Sequence, residues 1–125
     1  MSRLLILCLA IFIPFVFTSC ASAAEGYHKI TPQEGKDMIE KKITLVDVRE
    51  PSEYEEGHIP SAILIPLGTI DERVTEKLTD KDAPVIVYCR SGVRSRKAAM
   101  KLIDLGYKDV RDMGGILDWP YEVTK

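Results

Sequence analysis

Cysteine is scarce in this chain: Cys8, Cys20 and Cys89 are the three present. No CxxC and no Cys/His spacing of the zinc-binding kind occurs, so nothing points to a metal site. A basic excess is missing too, with 17 Lys and Arg against 19 Asp and Glu. That balance gives no reason to expect nucleic-acid binding. Repeats and low-complexity linkers are lacking, and 125 residues suffice for one small domain with a single core. The one extended apolar run, residues 4–17, holds fourteen residues, fewer than the ~20 of a comfortable membrane span.

That run is the middle of a leader. Arg3 is the only charge in the first twenty residues, and small residues ("TSCASAA") follow the apolar stretch at once. This is the pattern of a secretory signal peptide, assigned to residues 1–24, with the folded domain at residues 25–125. Two processing routes fit. "ASAAE" offers cleavage after residue 23 or 24, whereas "FTSC" resembles a lipobox that is cut after residue 19 and leaves Cys20 lipid-modified. Phe17 departs from the leucine that the lipobox pattern favours. Either route exports the domain to the periplasm, free or tethered by a lipid at Cys20, which is the only membrane attachment expected. Small exported domains normally pair their cysteines. Cys89 is left alone, and an unpaired cysteine in an oxidising compartment is a liability unless its reactivity is the purpose.

Strand and helix signals alternate along the rest. "TPQEGKDMIEKK" has Thr31 as N-cap, Pro32 at the first helical position and Glu34 completing a capping box. "ITLVDVR" and "PVIVYC" are apolar without alternation, as strands buried on both faces are. "EPSEYEEG" predicts a helical turn ended by Gly57, "AILIP" a short strand, and "TIDERVTEKL" a helix with Ile70, Val74 and Leu78 inward. "RKAAMKLIDLG" is a further helix with Ala98, Ala99, Leu102, Ile103 and Leu105 on its apolar face, and "DVRDM" a last strand. Four such strands alternating with helices imply an α/β fold with a mainly parallel central sheet. Ligands in such folds sit beyond the carboxyl ends of the strands, and Cys89 ends one.

The stretch around it, "YCRSGVRSR", suits an anion. A thiol attacks only as its thiolate. The helix start after Cys89 offers unpaired N–H groups, and Gly92 with its small neighbours lets the loop curl them toward the sulfur. Between Asp82 and Asp104 there is no acid, while Arg90, Arg94, Arg96, Lys97 and Lys101 are all basic. Such a patch favours a thiolate and steers anionic substrates to it.

"YCRSGVRS", with "LVDVREPSEYEEGHIPSAILIP" upstream and "MGGILDW" downstream, resembles the rhodanese family of sulfurtransferases over residues 30–119. The resemblance implies a parallel sheet of five strands flanked by helices. It implies that Cys89 takes the sulfane sulfur of a small anionic donor such as thiosulfate, releasing sulfite. The resulting persulfide passes its sulfur to cyanide or a thiol, with no metal or organic cofactor. By the same resemblance, backbone N–H groups of Arg90, Ser91, Gly92, Val93 and Arg94 hold the persulfide, and the Arg94 side chain binds the donor's anionic end. Asp47 and Arg49 buttress the site in the family; a plain structural salt bridge accounts for them equally well. His58 falls in a segment that the family uses as a turn, Trp119 is expected to pack, and Ser61 stands where the family usually has glycine.

Other functions are weighed on the same residues. Cysteine phosphatases and arsenate reductases place five residues between cysteine and arginine, whereas four separate Cys89 from Arg94, a loop better matched to one sulfur than to a tetrahedral oxyanion. Inactive rhodanese-like binding modules usually lack the cysteine that is present here. A persulfide carrier serving an exported partner is chemically identical at Cys89, and both readings stand at this point.

Overall fold

The computed structural model describes residues 25–125, with Ile13 and Pro14. The rest of the expected signal peptide, both expected cleavage routes and Cys20 lie outside the described residues. Among those described, no helix is long and apolar enough to cross a membrane.

Five strands, β1 (Tyr27–Lys29), β2 (Thr44–Asp47), β3 (Ile63–Leu64), β4 (Val85–Cys89) and β5 (Val110–Gly115), form one sheet in the order β1-β5-β4-β2-β3. Every pairing is parallel. The helices are α1 (Pro32–Glu40), α2 (Pro51–Glu56), α3 (Ile70–Lys77) and α4 (Val93–Asp104), with single 3₁₀ turns at Leu67–Thr69 and Ile116–Asp118. The capping box of α1 is present as expected: Glu34 N–H donates to Thr31 Oγ1 and Thr31 N–H to Glu34 Oε1, both at 3.1 Å.

Strand β4 lies in the middle and is buried along its whole length, and its side chains alternate between two cores. Val85, Val87 and Cys89 point to the side covered by α3 and α4, where they meet Val46, Ile70, Val74 and Leu102. Ile86 and Tyr88 point to the other side, against Leu45, Ile59 and Met113. Helix α3 turns Ile70 and Val74 inward, and the capping Leu78 is also buried, as the spacing of four requires.

Three features differ from the pattern of the sequence. Strand β1 carries no apolar signal, because "YHK" lies on the sheet edge, mostly exposed and paired with β5 alone. Helix α4 begins at Val93, not at Arg96, so Arg94 and Ser95 belong to its first turn and the loop after Cys89 is only residues 90–92. Strand β5 runs on through Gly114 and Gly115, with a register shift opposite Val87 and Tyr88 that brings Gly115 level with Cys89. Ser61 has φ 72, in the left-handed region that glycine occupies most easily.

Candidate active site

Cys89 is the last residue of β4, fully buried, and the only cysteine among the described residues. Three residues on, Gly92 has φ 106, a conformation open to glycine, and its N–H donates to Cys89 Sγ at 3.0 Å. The turn therefore folds the start of α4 back over the sulfur. Ser95 Oγ donates to the Gly92 carbonyl at 3.0 Å and Arg96 N–H to the same oxygen at 3.3 Å, which fixes the turn from below. Val93 and Arg94 present first-turn N–H groups that have no partner within the helix. Together these make the end of β4 a place where negative charge is stabilised by backbone dipoles.

The rim is held from the side of β5. A Cβ on Gly115 would collide with the Arg90 carbonyl and approach Ser91 Cα to 2.7 Å, so this position needs glycine for the loop to pass. Leu117 N–H adds a bond to the Arg90 carbonyl at 3.2 Å. Arg90 and Ser91 themselves are exposed at the mouth.

Arg94 points toward α2, not into open solvent. Its Nη1 and Nη2 donate to the two carboxylate oxygens of Glu53 at 2.6 and 3.0 Å, a bidentate fork. This hydrogen bonding pulls the Glu53 carboxyl down to about 2 against the opposing effect of burial. It raises Arg94 in turn, and Cys89 is near enough to add to the negative field around the guanidinium. Glu53 was hidden in the sequence as one of several acids in "EPSEYEEG"; nothing in that string marks it out.

Asp47 and Arg49 form a pair of their own. Arg49 Nε donates to both Asp47 oxygens at 3.0 Å and Arg49 Nη2 to Oδ2 at 2.7 Å, with both residues buried. Arg49 Nη2 also reaches the Gly57 carbonyl at 2.7 Å. Tyr88 Oη donates to Asp47 Oδ2 at 2.8 Å and accepts from Ile59 N–H at 3.1 Å. Burial, then the charge of Asp47, pushes the Tyr88 hydroxyl well above the ordinary phenol range. The network ties the ends of β2 and β4 to residues 57–59, one residue before Cys89. Tyr88 was missed in the sequence because it looks like any strand aromatic. Neither Asp47 nor Arg49 makes a hydrogen bond to the sulfur.

His58 is committed elsewhere: its ring stacks on Tyr54 with centroids 3.6 Å apart, its Nδ1 lies 2.8 Å from the Tyr54 carbonyl, and its backbone bridges Thr124. Trp119 packs against the second core, donates from Nε1 to the Glu122 carbonyl at 3.0 Å and meets Tyr121 edge-on.

The family model for the rhodanese-like domain matches residues 31–121, which span every element just described except β1. The chain belongs to the rhodanese family. The thiosulfate sulfurtransferase GlpE of Coxiella burnetii is 36% identical over 95 residues, covering 74% of this chain and 87% of that protein. The probable adenylyltransferase/sulfurtransferase MoeZ of Mycobacterium tuberculosis is 36% identical over 111 residues, but this chain spans only 28% of its length. Among solved structures, a rhodanese with anions from E. coli superposes with TM-score 0.62 at 36% identity, covering 66% of this chain and 96% of that one. Relatives named as sulfurtransferases thus share the domain described here.

Proposed function

We propose that this sulfurtransferase works through a persulfide on Cys89, loaded from thiosulfate or a similarly anionic sulfane donor, after export of the domain. The observation that carries the reading is the Gly92 N–H on Cys89 Sγ at 3.0 Å, under the start of α4. Such a cradle stabilises a sulfur anion, whether thiolate or persulfide. In the first half-reaction the Cys89 thiolate attacks the outer sulfur of thiosulfate. The bond between the two donor sulfurs breaks, and its electron pair leaves with sulfite. In the second, an acceptor such as cyanide or a thiolate attacks the outer sulfur of the persulfide, and the electron pair of the broken bond returns to Cys89. The donor's sulfane sulfur supplies the oxidising equivalents that the acceptor takes up, so no external oxidant or reductant is needed, and the cycle is ping-pong.

Because Cys89 is fully buried, the rim of residues 90–92 must part for the donor to reach it. Arg94 meets the donor's oxygens by exchanging one anionic partner, the Glu53 carboxylate, for another. Asp47 and Arg49 act at a distance, by holding the end of β4 that presents the sulfur.

The test is Cys89→Ser. A serine hydroxyl is not ionised at ordinary pH and cannot exchange with a sulfur–sulfur bond, so conversion of thiosulfate and cyanide to thiocyanate should vanish while the fold persists. A Ser variant with a comparable rate places the nucleophile elsewhere.

A further inference from the structure

A groove of about 930 Å³ opens beside the Cys89 loop and runs away from it along α4. One wall is a single helical stripe, Val93, Arg96, Lys97, Met100 and Lys101, with the i, i+3, i+4, i+7, i+8 spacing that places side chains on one face. The opposite wall is Tyr27 and Lys29, alternate residues of edge strand β1 that share a face of the sheet. Ser91 and Gly92 form the end nearest the sulfur.

The chemistry of this groove is uneven. Apolar groups form part of its lining: Val93, 63% exposed, with Met100 and the Tyr27 ring. Its rim carries Lys29, Arg96, Lys97 and Lys101, in a chain whose net charge is −2. Arg96 leans over the Tyr27 ring at 5.9 Å, and Lys101 touches exposed Asp71 at 3.1 Å. The single carboxylate lining the groove, Asp112, is buried and already accepts from Tyr27 Oη at 2.6 Å and Gly114 N–H at 2.9 Å, with Lys29 Nζ 3.9 Å away. A small anionic donor needs none of this length. From Val93 to Lys101 the helix wall rises about 12 Å, the span of roughly four residues of extended peptide.

The geometry points to a docking groove for the sulfur acceptor: an extended, acidic segment of a partner protein, its cysteine at the Ser91–Gly92 end and carboxylates within about four residues of it. The inference rests on the persulfide reading above and deepens it by naming the acceptor's chemistry. The peptide thiolate attacks the outer sulfur of the Cys89 persulfide, the bond to Cys89 Sγ breaks with its electron pair returning to that sulfur, and the peptide leaves as the persulfide.

Two readouts keep the groove and the persulfide separable. The first is binding of a fluorescein-labelled peptide, Ser-Ala-Glu-Leu-Glu, against its Ser-Ala-Lys-Leu-Lys counterpart, which requires no sulfur chemistry. The second is discharge of thiosulfate-loaded protein by the Cys-Ala-Glu-Leu-Glu and Cys-Ala-Lys-Leu-Lys peptides, with 2-mercaptoethanol as the uncharged reference. The acidic peptides should bind and discharge at least about tenfold better at low salt, and the gap should close as salt screens the rim. Lys97→Glu/Lys101→Glu should reverse the preference, read as the ratio of acidic to basic peptide within the same variant preparation. Equal behaviour of acidic and basic peptides, or a preference that survives the double reversal, overturns the groove. Selective binding by a protein that never loads sulfur leaves the groove standing and removes the persulfide.

Discussion

Arg94 and Glu53 put a carboxylate where a donor's anionic end is expected to go. The fork between them is bidentate, at 2.6 and 3.0 Å, and both side chains are partly shielded from water. A charge-assisted pair of this kind is strong enough to compete with substrate. Two substitutions should therefore move the apparent KM for thiosulfate in opposite directions. Arg94→Ala should raise it tenfold to a hundredfold, since about 1.5–3 kcal/mol of charged hydrogen bonding is lost. Glu53→Gln should lower it severalfold, because a neutral amide releases the guanidinium more readily. Steady-state kinetics of the two variants decide the matter: a KM that rises in both would make the ion pair a support for the site and not a competitor within it. The sequence offered Arg94 through its position after Cys89 but could not offer Glu53, which lies 41 residues away and resembles its acidic neighbours. Long-range charge pairs leave no local trace, and the Asp47–Tyr88 bond escaped for the same reason.

At the level of elements, the site is a strand end, a three-residue turn and a helix start clamped by the end of a neighbouring strand. Gly115 is the clamp. Replacing it with alanine drives a methyl group into the Arg90 carbonyl and against Ser91 Cα, both backbone, so neither can swing aside like a flexible side chain. Gly115→Ala should cost about 1–3 kcal/mol of stability, the usual range for overpacking. It should also depress sulfur transfer far beyond what the lost stability explains, by moving the loop off the sulfur. Denaturant unfolding together with activity on the still-folded protein checks this; a stable variant with full activity would show that the loop has room to adjust. Elements with strong internal signals were legible in advance. Strands β2 and β4 carry uninterrupted apolar runs, and the α1 cap is written in Thr31, Pro32 and Glu34. Edge strand β1 was not, because three mostly exposed residues need no hydrophobic pattern to pair with one neighbour. The first turn of α4 carries no helix signal for a related reason: a β-branched valine and a serine after glycine have weak helix preference, and tertiary packing over Cys89 overrides it.

For the whole molecule, the ion pairs set how it meets acid. Glu53 is held at about 2 in the folded protein, chiefly by the Arg94 hydrogen bonds, against an ordinary value of 4.5. A carboxylate lowered on folding contributes stability that is complete above its unfolded value and is lost as the pH falls through its folded one. The contribution of the α2–α4 pair should accordingly fade between about pH 4.5 and 2. Glu53→Gln, which has no such proton to bind, should unfold with a flatter pH dependence across that window. Parallel urea titrations at several pH values read the difference, and identical slopes in the two proteins would mean that the pair contributes nothing to global stability. Two cores share strand β4, so the sulfur at its end is positioned by the packing of the entire domain.

The proposed chemistry requires that Cys89 accept sulfur. The protein should be incubated with thiosulfate, freed of excess donor and analysed by intact and peptide mass spectrometry without reductant. A gain of about 32 Da, one sulfur atom, on the peptide containing Cys89 is the predicted covalent intermediate. The gain should disappear on adding cyanide and be absent from Cys89→Ser. An unchanged mass at Cys89 under saturating thiosulfate, or a gain that persists in the Ser variant, contradicts it.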